Sequence, residues 1–325
     1  MSIDFYGILL YNVYLDKTKF NQEGVFMSQY NEFAGVYSLL LTPFNWDRSI
    51  DYKTYEEYVA WQAAYKPQHL FAVCGSSEMM ELTQEERIKC AGLAVKNSNG
   101  VPVFATGNLE VEFDAQVEEM KKLEQQGVSG LVFVTKGMCD KPDHIYEYMT
   151  SLASHTELPI VLYEFPGLRP HLMDAVTYGR LAETGKFMGI KDTTCKLTEI
   201  KQKIAVQGDS NVLQANIPFL YDSYLAGARG VVATPTSCGA GLFVKMWDEF
   251  TKGDLEAARL THQHIISLDN CIDSGFMASA KYLVNLQGIN MQWFTRGSHD
   301  LGAARKRSIE VWYDWAKENG VLVNP

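Results

Sequence analysis

From position 36 onward the chain alternates short apolar runs with longer amphipathic stretches. Short apolar runs bounded by turn residues predict buried strands, and apolar residues recurring every three to four positions predict helices. The predicted strands lie at 36–41, 70–74, 101–105, 130–135, 159–165, 187–192, 204–207 and 230–234. The intervening helices include 52–65, 84–96, 113–126 and 142–154. Thr83, followed by Glu86 three residues later, predicts a capping box at the start of the second helix.

The ends of the central apolar runs repeat at a fixed interval. They fall at positions 107, 135, 163 and 191, which are 28 residues apart, about the length of one strand-helix-strand unit. Eight strands alternating with helices predict an α/β fold, a closed (β/α)₈ barrel. An open doubly wound sheet is the alternative. The glycine fingerprint of a dinucleotide site does not follow the first strand, which disfavours that alternative.

The strand pattern stops after about position 253, and helices are predicted at 254–273, 274–287 and 301–319. We therefore expect three parts: an N-terminal extension at 1–34 with no assigned role, the barrel at 35–252 and a helical C-terminal domain at 253–325. The apolar stretch near the N-terminus is preceded by Asp4 rather than by basic residues, so it does not resemble a signal peptide.

Lys191 and Tyr163 are the candidate catalytic pair. Each residue ends an apolar run. Burying an amine at the end of a strand costs free energy, so a lysine at this position is expected to have a function. Lys191 shares a strand face with Gly189, which predicts space beside the amine. Because one repeat separates the two residues, we expect them at the same end of neighbouring parallel strands. A sheltered amine can form a Schiff base with a carbonyl substrate, and a phenol can carry the proton.

Other strand ends offer binding groups. Gly75, Ser76 and Ser77 follow the second predicted strand, where a glycine-led turn can aim N–H groups and two hydroxyls at a carboxylate. Gly208 and Asp209 follow the seventh predicted strand. In barrels the loops after the strands build the active site.

Composition narrows the function classes. The 325 residues carry a net charge of −10, which argues against a nucleic-acid surface. No apolar run is long enough to cross a bilayer. The six cysteines are scattered without a CxxC pair, and the histidines are not gathered at strand ends, so we expect no metal and no cofactor. A cytoplasmic protein with reduced thiols is expected.

These segments resemble the dihydrodipicolinate synthase and N-acetylneuraminate lyase family of class I aldolases, from about position 35 to the C-terminus. The matching segments are LLLTPF (39–44), CGSSEMMELTQEER (74–87), VFATGN (103–108), LPIVLYEFPG (158–167), GIKDTT (189–194) and GARGVVAT (227–234). The resemblance implies a (β/α)₈ barrel with a helical C-terminal domain, and a homo-oligomer, tetramer or dimer.

The resemblance also implies roles for particular residues. Lys191 would form an imine with a 2-oxo acid such as pyruvate, and Tyr163 would carry protons. Ser76 and Ser77, with their N–H groups, would hold the substrate carboxylate. In addition, the backbone of Val232 would lie near the imine, and Gly208 and Asp209 would face the distal part of the substrate.

The chain departs from the family pattern in three places. The Gly-Thr-Thr-Gly-Glu loop is one glycine short, and 135–138 reads Thr-Lys-Gly-Met where the family has Pro-Tyr-Tyr with a relay tyrosine. Leu168 occupies the position at which the synthase has an arginine that binds a second substrate carboxylate, and Arg169 follows one residue later. The chain therefore favours cleavage or dehydration of a sugar-derived 2-oxo acid. Condensation with aspartate semialdehyde, and a non-catalytic barrel that binds a small acid, are the alternatives.

Overall fold

The structure is a computed structural model that describes residues 30–136, 141–168, 172–273, 276–297 and 301–323. Its centre is a closed barrel in which each strand pairs in parallel with the next and β8 pairs with β1. The strands are β1 Gly35–Leu39, β2 His69–Val73, β3 Val103–Thr106, β4 Gly130–Val134, β5 Ile160–Tyr163, β6 Phe187–Asp192, β7 Val212–Gln214 and β8 Gly230–Val231. The predicted (β/α)₈ barrel is confirmed.

Helices follow the strands and cover the outside of the barrel. They are α1 Tyr52–Ala64, α2 Gln84–Asn97, α3 Phe113–Gln125, α4 Pro142–Ala153, α5 Ala175–Ala182, α6 Leu197–Ala205, α7 Leu220–Ala226 and α8 Thr236–Thr251. Helix α2 begins with the predicted capping box, in which Thr83 accepts from the Glu86 N–H and the Glu86 carboxylate accepts from the Thr83 N–H.

Among the described residues, three further helices follow α8: α9 Leu255–Asp273, α10 Phe276–Leu286 and α11 Ala303–Glu318. Helix α9 packs on α8, and α10 packs on α9 and α11. The predicted C-terminal helices are therefore present. Helix α10 also contacts the barrel top, where Lys281 pairs with Glu78 after β2.

The seventh strand was predicted in the wrong place. Residues 204–207 form the end of helix α6 and the start of the turn after it, and β7 lies at Val212–Gln214. Ile200 and Lys203 form the buried face of α6. Ile204 packs against Gly227: its Cγ2 atom would lie 3.3 Å from a Cβ added to that glycine. An apolar run of three residues, as at 204–206, can belong to a strand or to the last turn of a helix, and only the packing decides between them.

Aromatic rings fill the barrel interior below the site. Tyr37 stacks on His69 at 4.1 Å between ring centres, and Phe104 packs edge-on against both. Burial lowers the pKa of His69 to about 4, so this histidine is a neutral core residue. The barrel floor is thus filled by buried, uncharged rings, and the polar groups of the candidate site lie at the strand ends above it.

Candidate active site

Lys191 and Tyr163 are direct neighbours in the sheet. Their Cα atoms are paired in the β5–β6 register, and both residues lie at the C-terminal ends of their strands. The Lys191 amine stands 4.2 Å from the centre of the Tyr163 ring and 6.0 Å from that of Phe71. The amine and phenol therefore meet inside the barrel mouth, as the 28-residue spacing predicted.

Burial changes the acidity of both groups. Lys191 is 5% exposed, and no described carboxylate forms an ion pair with it. Loss of hydration lowers its pKa to about 8, so a useful fraction of the amine is neutral near physiological pH. Burial raises the pKa of the Tyr163 phenol, which keeps its proton. The pair is a nucleophile beside a neutral proton donor.

The open space beside the Lys191 amine is not next to Gly189, where the sequence predicted it. A Cβ at Gly189 would lie 3.0 Å from the Asn211 carbonyl oxygen and 3.4 Å from the Leu213 side chain, so β7 fills this volume. Glycine is needed there for close strand packing. The open space lies above the amine, toward the strand ends.

A cavity of about 580 Å³ opens there. It is lined by Gly75, Ser76, Tyr163, Phe165, Pro166, Lys191, Thr193, Cys195, Ala215, Asn216, Val232, Ala233, Thr234, Phe276 and Met277. This volume is typical of a small-molecule site. The candidate residues Lys191, Tyr163, Gly75, Ser76 and Val232 therefore share one cavity.

The two serines of the loop after β2 have different positions. The Ser76 hydroxyl faces the cavity and hydrogen-bonds the Thr234 hydroxyl at 2.8 Å. The Ser77 hydroxyl is fully buried, accepts from the Cys74 N–H, and lies 2.6 Å from the Leu40 carbonyl oxygen. Ser77 fixes the loop to the barrel and does not line the cavity. The expectation that its hydroxyl faces the substrate is wrong.

Gly208 and Asp209 lie at the opposite end of the barrel. They precede β7 rather than following it, and their carbonyl oxygens accept from Arg229 at 2.8 Å and from Asn31 at 2.5 Å. The prediction that they face the distal part of the substrate is wrong, because it depended on the misplaced seventh strand. Ala215 and Asn216 follow the real β7 and line the cavity instead.

Several lining residues escaped the sequence reading. Phe276 and Met277 begin helix α10 in the C-terminal part of the chain, and no local pattern connects them to the barrel mouth. Asn216 was missed through the error at β7. Thr234 follows β8, and it could have been predicted from the sequence because a hydroxyl just after a strand is expected at the barrel mouth. Arg169, and 137–138 of the altered fourth loop, lie outside the described residues.

The structure gives two further findings about the expected absences. Among the described residues, no group of three or more His, Cys, Asp or Glu side chains is arranged to hold a metal ion. Within the same part of the chain, no helix combines the length and the apolar character that crossing a membrane requires.

A sheltered lysine amine beside a tyrosine phenol, at the C-terminal end of a (β/α)₈ barrel, defines a class I aldolase-type lyase, which acts through a Schiff base. The family model "Dihydrodipicolinate synthetase family" matches residues 32–298, and the chain belongs to this family. It is therefore a Schiff-base-forming lyase of that family, as the sequence predicted.

Curated relatives support the same assignment. The 4-hydroxy-tetrahydrodipicolinate synthase of Oceanobacillus iheyensis is 28% identical over 263 residues, which cover 79% of this chain and 88% of the relative. The enzyme of the same name from Rhodospirillum centenum is 29% identical over 234 residues, covering 70% and 79%.

Solved structures share the fold. YagE, a prophage protein of this family from E. coli K12 in complex with pyruvate, has a TM-score of 0.80 at 21% identity. The match covers 88% of this chain and 99% of YagE. A monomeric dihydrodipicolinate synthase variant has a TM-score of 0.81 at 21% identity, covering 90% and 99%. At this identity the likeness concerns the fold alone.

Proposed function

We propose that Lys191 forms an imine with a pyruvate-type 2-oxo acid. The enzyme then makes or breaks the bond between the carbon adjacent to the imine carbon and the next carbon of the chain, or removes water across the carbons beside the imine. The observation that carries this proposal is the 4.2 Å approach of the Lys191 amine to the Tyr163 ring in a sheltered cavity. Ser76, on the same cavity wall, holds the substrate carboxylate through its hydroxyl.

The steps follow from these groups. The neutral Lys191 amine attacks the ketone carbon, and the Tyr163 phenol protonates the oxygen that leaves as water. The protonated imine then accepts the electron pair of the bond between the neighbouring carbon and the next one, so that this bond breaks, the distal hydroxyl loses its proton to give an aldehyde, and an enamine remains. The enamine takes a proton to become the imine again, and condensation runs through the same steps in reverse. Hydrolysis releases the 2-oxo acid and restores the amine.

Borohydride trapping tests the imine. With pyruvate present, we expect reduction to attach the three-carbon acid to Lys191, identified by mass spectrometry of the peptide. The trapping rate should fall about tenfold per pH unit below about pH 8, because the attacking amine titrates with a pKa of about 8. Trapping without pyruvate is the control. No adduct on Lys191 would refute the proposal, and an inflection near pH 10.5 would refute the role of burial.

The distal substrate can be tested at Leu168. An arginine that binds a second carboxylate is worth about 10–100-fold in affinity. We expect Leu168→Arg to give no gain of this size in kcat/KM for aspartate semialdehyde, with Leu168→Gln as the neutral control. A gain of that size confined to the arginine variant would instead favour the activity named for the curated relatives, that of a 4-hydroxy-tetrahydrodipicolinate synthase.

A homo-oligomer, tetramer or dimer, and a cytoplasmic location belong to the same proposal. They rest on the family and on the sequence composition. Sedimentation velocity of the purified protein tests the oligomer, and a single species at 36.6 kDa would overturn it.

A further inference from the structure

The cavity is larger than pyruvate requires, so its outer part is available for the second half of the substrate. The cavity above Lys191, which is open to solvent on its outer side, has a volume of about 580 Å³. Pyruvate bound to the amine occupies the inner end, between Tyr163 and Ser76. The outer wall is therefore the part of the site that selects the aldehyde.

The polar groups of the wall are largely used within the protein. The Thr193 hydroxyl donates to the Glu164 carbonyl oxygen at 2.7 Å. The Thr234 hydroxyl is paired with Ser76, and the Asn216 amide nitrogen donates to the Gln214 side chain at 3.2 Å. A polyol chain brings several hydroxyls that lose water on entry, and each needs a new partner to offset that loss. This wall provides few.

The wall is also poor in charge. Among the described lining residues, Lys191 supplies the one basic side chain, and no arginine, histidine, aspartate or glutamate lines the cavity. After imine formation the charge of Lys191 is on the protonated imine at the inner end of the cavity, next to the carboxylate of pyruvate. A second carboxylate at the outer wall therefore meets no further cation among these side chains, and a buried unpaired carboxylate is costly.

Apolar side chains from two regions of the chain make up the outer wall. Phe165 and Pro166 follow β5, and Phe276 and Met277 reach over the cavity from the start of α10. Phe276 has a φ of 40° and is 44% exposed. A positive φ is costly for an aromatic residue, and such strain persists where the surrounding structure enforces it, frequently at ligand sites.

We infer that the aldehyde half of the substrate is uncharged and apolar, a phenyl or similar hydrocarbon group that packs against Phe165, Phe276 and Met277. The inference rests on the proposed function and refines it. It differs from the sugar-derived acid that the sequence favours, because the hydroxyls of a sugar would find few free partners on this wall.

The reaction is balanced with pyruvate and an aromatic aldehyde. The Lys191 amine and the pyruvate ketone form an imine and release water. Loss of a methyl proton gives the enamine, whose carbon attacks the aldehyde carbon, and the aldehyde oxygen takes a proton to become a hydroxyl. Water then hydrolyses the imine, freeing the amine and a 4-hydroxy-2-oxo acid.

The test compares two aldehydes with pyruvate and the full-length enzyme, benzaldehyde as the apolar probe and glyceraldehyde as the polyol probe. We expect kcat/KM for benzaldehyde to exceed that for glyceraldehyde by at least about tenfold, because the ring buries apolar surface on this wall. Phe276→Asn removes the ring, and asparagine tolerates a positive φ. It should lower kcat/KM about tenfold for benzaldehyde and little for glyceraldehyde.

Val311→Asn, at a half-exposed position of α11, is the matched control and should change neither value. Pyruvate trapping is measured on every variant. If no adduct forms on Lys191, the proposed function itself fails. If the adduct forms but glyceraldehyde reacts as well as benzaldehyde, or benzaldehyde does not react, this inference is overturned while the proposed function stands.

Discussion

Lys191→Met should abolish turnover and at the same time stabilise the fold. Replacing a nucleophile that forms the covalent intermediate costs at least about 10⁴-fold in kcat, because no other described group at the barrel mouth offers a buried amine beside Tyr163. Stability should rise at neutral pH, because the wild-type protein must bury an amine that burial destabilises as a cation.

The sign of this effect follows from the pKa. The pKa of Lys191 falls from 10.5 in the unfolded chain to about 8 in the folded protein. The folded state therefore binds fewer protons between these values, and wild-type stability rises as the pH increases through them. The full cost, on the order of 3 kcal/mol, applies below about pH 8. The advantage of Lys191→Met should shrink as the pH approaches 10.5.

Lys203 is the matched control, since it is a second buried lysine in the barrel wall. Its amine lies 2.5 Å from Glu164 and 2.8 Å from Asp192. Burial acts to lower its pKa, but the two carboxylates outweigh burial and raise it. Lys203→Met leaves these carboxylates buried and unpaired and should lower the free energy of unfolding by about 3–5 kcal/mol. Urea denaturation of both variants from pH 7 to 10 measures the contrast. Loss of stability in both variants at neutral pH would contradict the assigned cost at Lys191.

Lys281→Met should have the second large effect, on both stability and substrate binding. The Lys281 amine, fully buried in α10, lies 2.5 Å from the Glu78 carboxylate and donates to the Phe294 carbonyl oxygen at 2.9 Å. Glu78 has a positive φ of 60° and also accepts from the Arg296 N–H at 2.7 Å. Removing the amine leaves a buried carboxylate unpaired, which costs about 3–5 kcal/mol.

This ion pair positions the loop that we propose binds the substrate carboxylate. Glu78 stands two residues after Ser76, so Lys281 ties the C-terminal helices to that loop. We expect KM for pyruvate to rise more than kcat falls. The double variant Glu78→Gln with Lys281→Met removes both charges and should recover part of the lost stability.

Lys245→Met is the surface control for the same change. Lys245 is about half exposed and lies 3.8 Å from Glu249, so its loss should cost less than about 1 kcal/mol. The four proteins are the wild type, Lys281→Met, the double variant and Lys245→Met. Denaturation measures the effect of each change on stability, and steady-state kinetics measure its effect on substrate binding. If Lys281→Met costs no more than Lys245→Met, or if the double variant is less stable than Lys281→Met, the pairing argument fails.

The barrel and the adjacency of Lys191 and Tyr163 could be predicted because their signals are local and periodic. Apolar runs separated by amphipathic helices predicted the closed barrel, and a constant interval between strand ends placed Tyr163 and Lys191 side by side. The period of the repeat carries this information, because each unit adds one strand and one helix. The error at 204–207 arose where the apolar run was too short to distinguish the last turn of a helix from a strand.

The binding wall depended on the tertiary structure. The adjacent residues Ser76 and Ser77 look equivalent in sequence, yet the turn directs Ser76 into the cavity and Ser77 onto the barrel backbone. Phe276 reaches the barrel mouth from α10, more than eighty residues after Lys191, through packing that no periodicity encodes. Thus the sequence by itself determined the barrel and the amine–phenol pair, because spacing along strands determines them. Only the tertiary structure decided which side chains enclose the substrate, because that depends on loop direction and on contacts between distant segments.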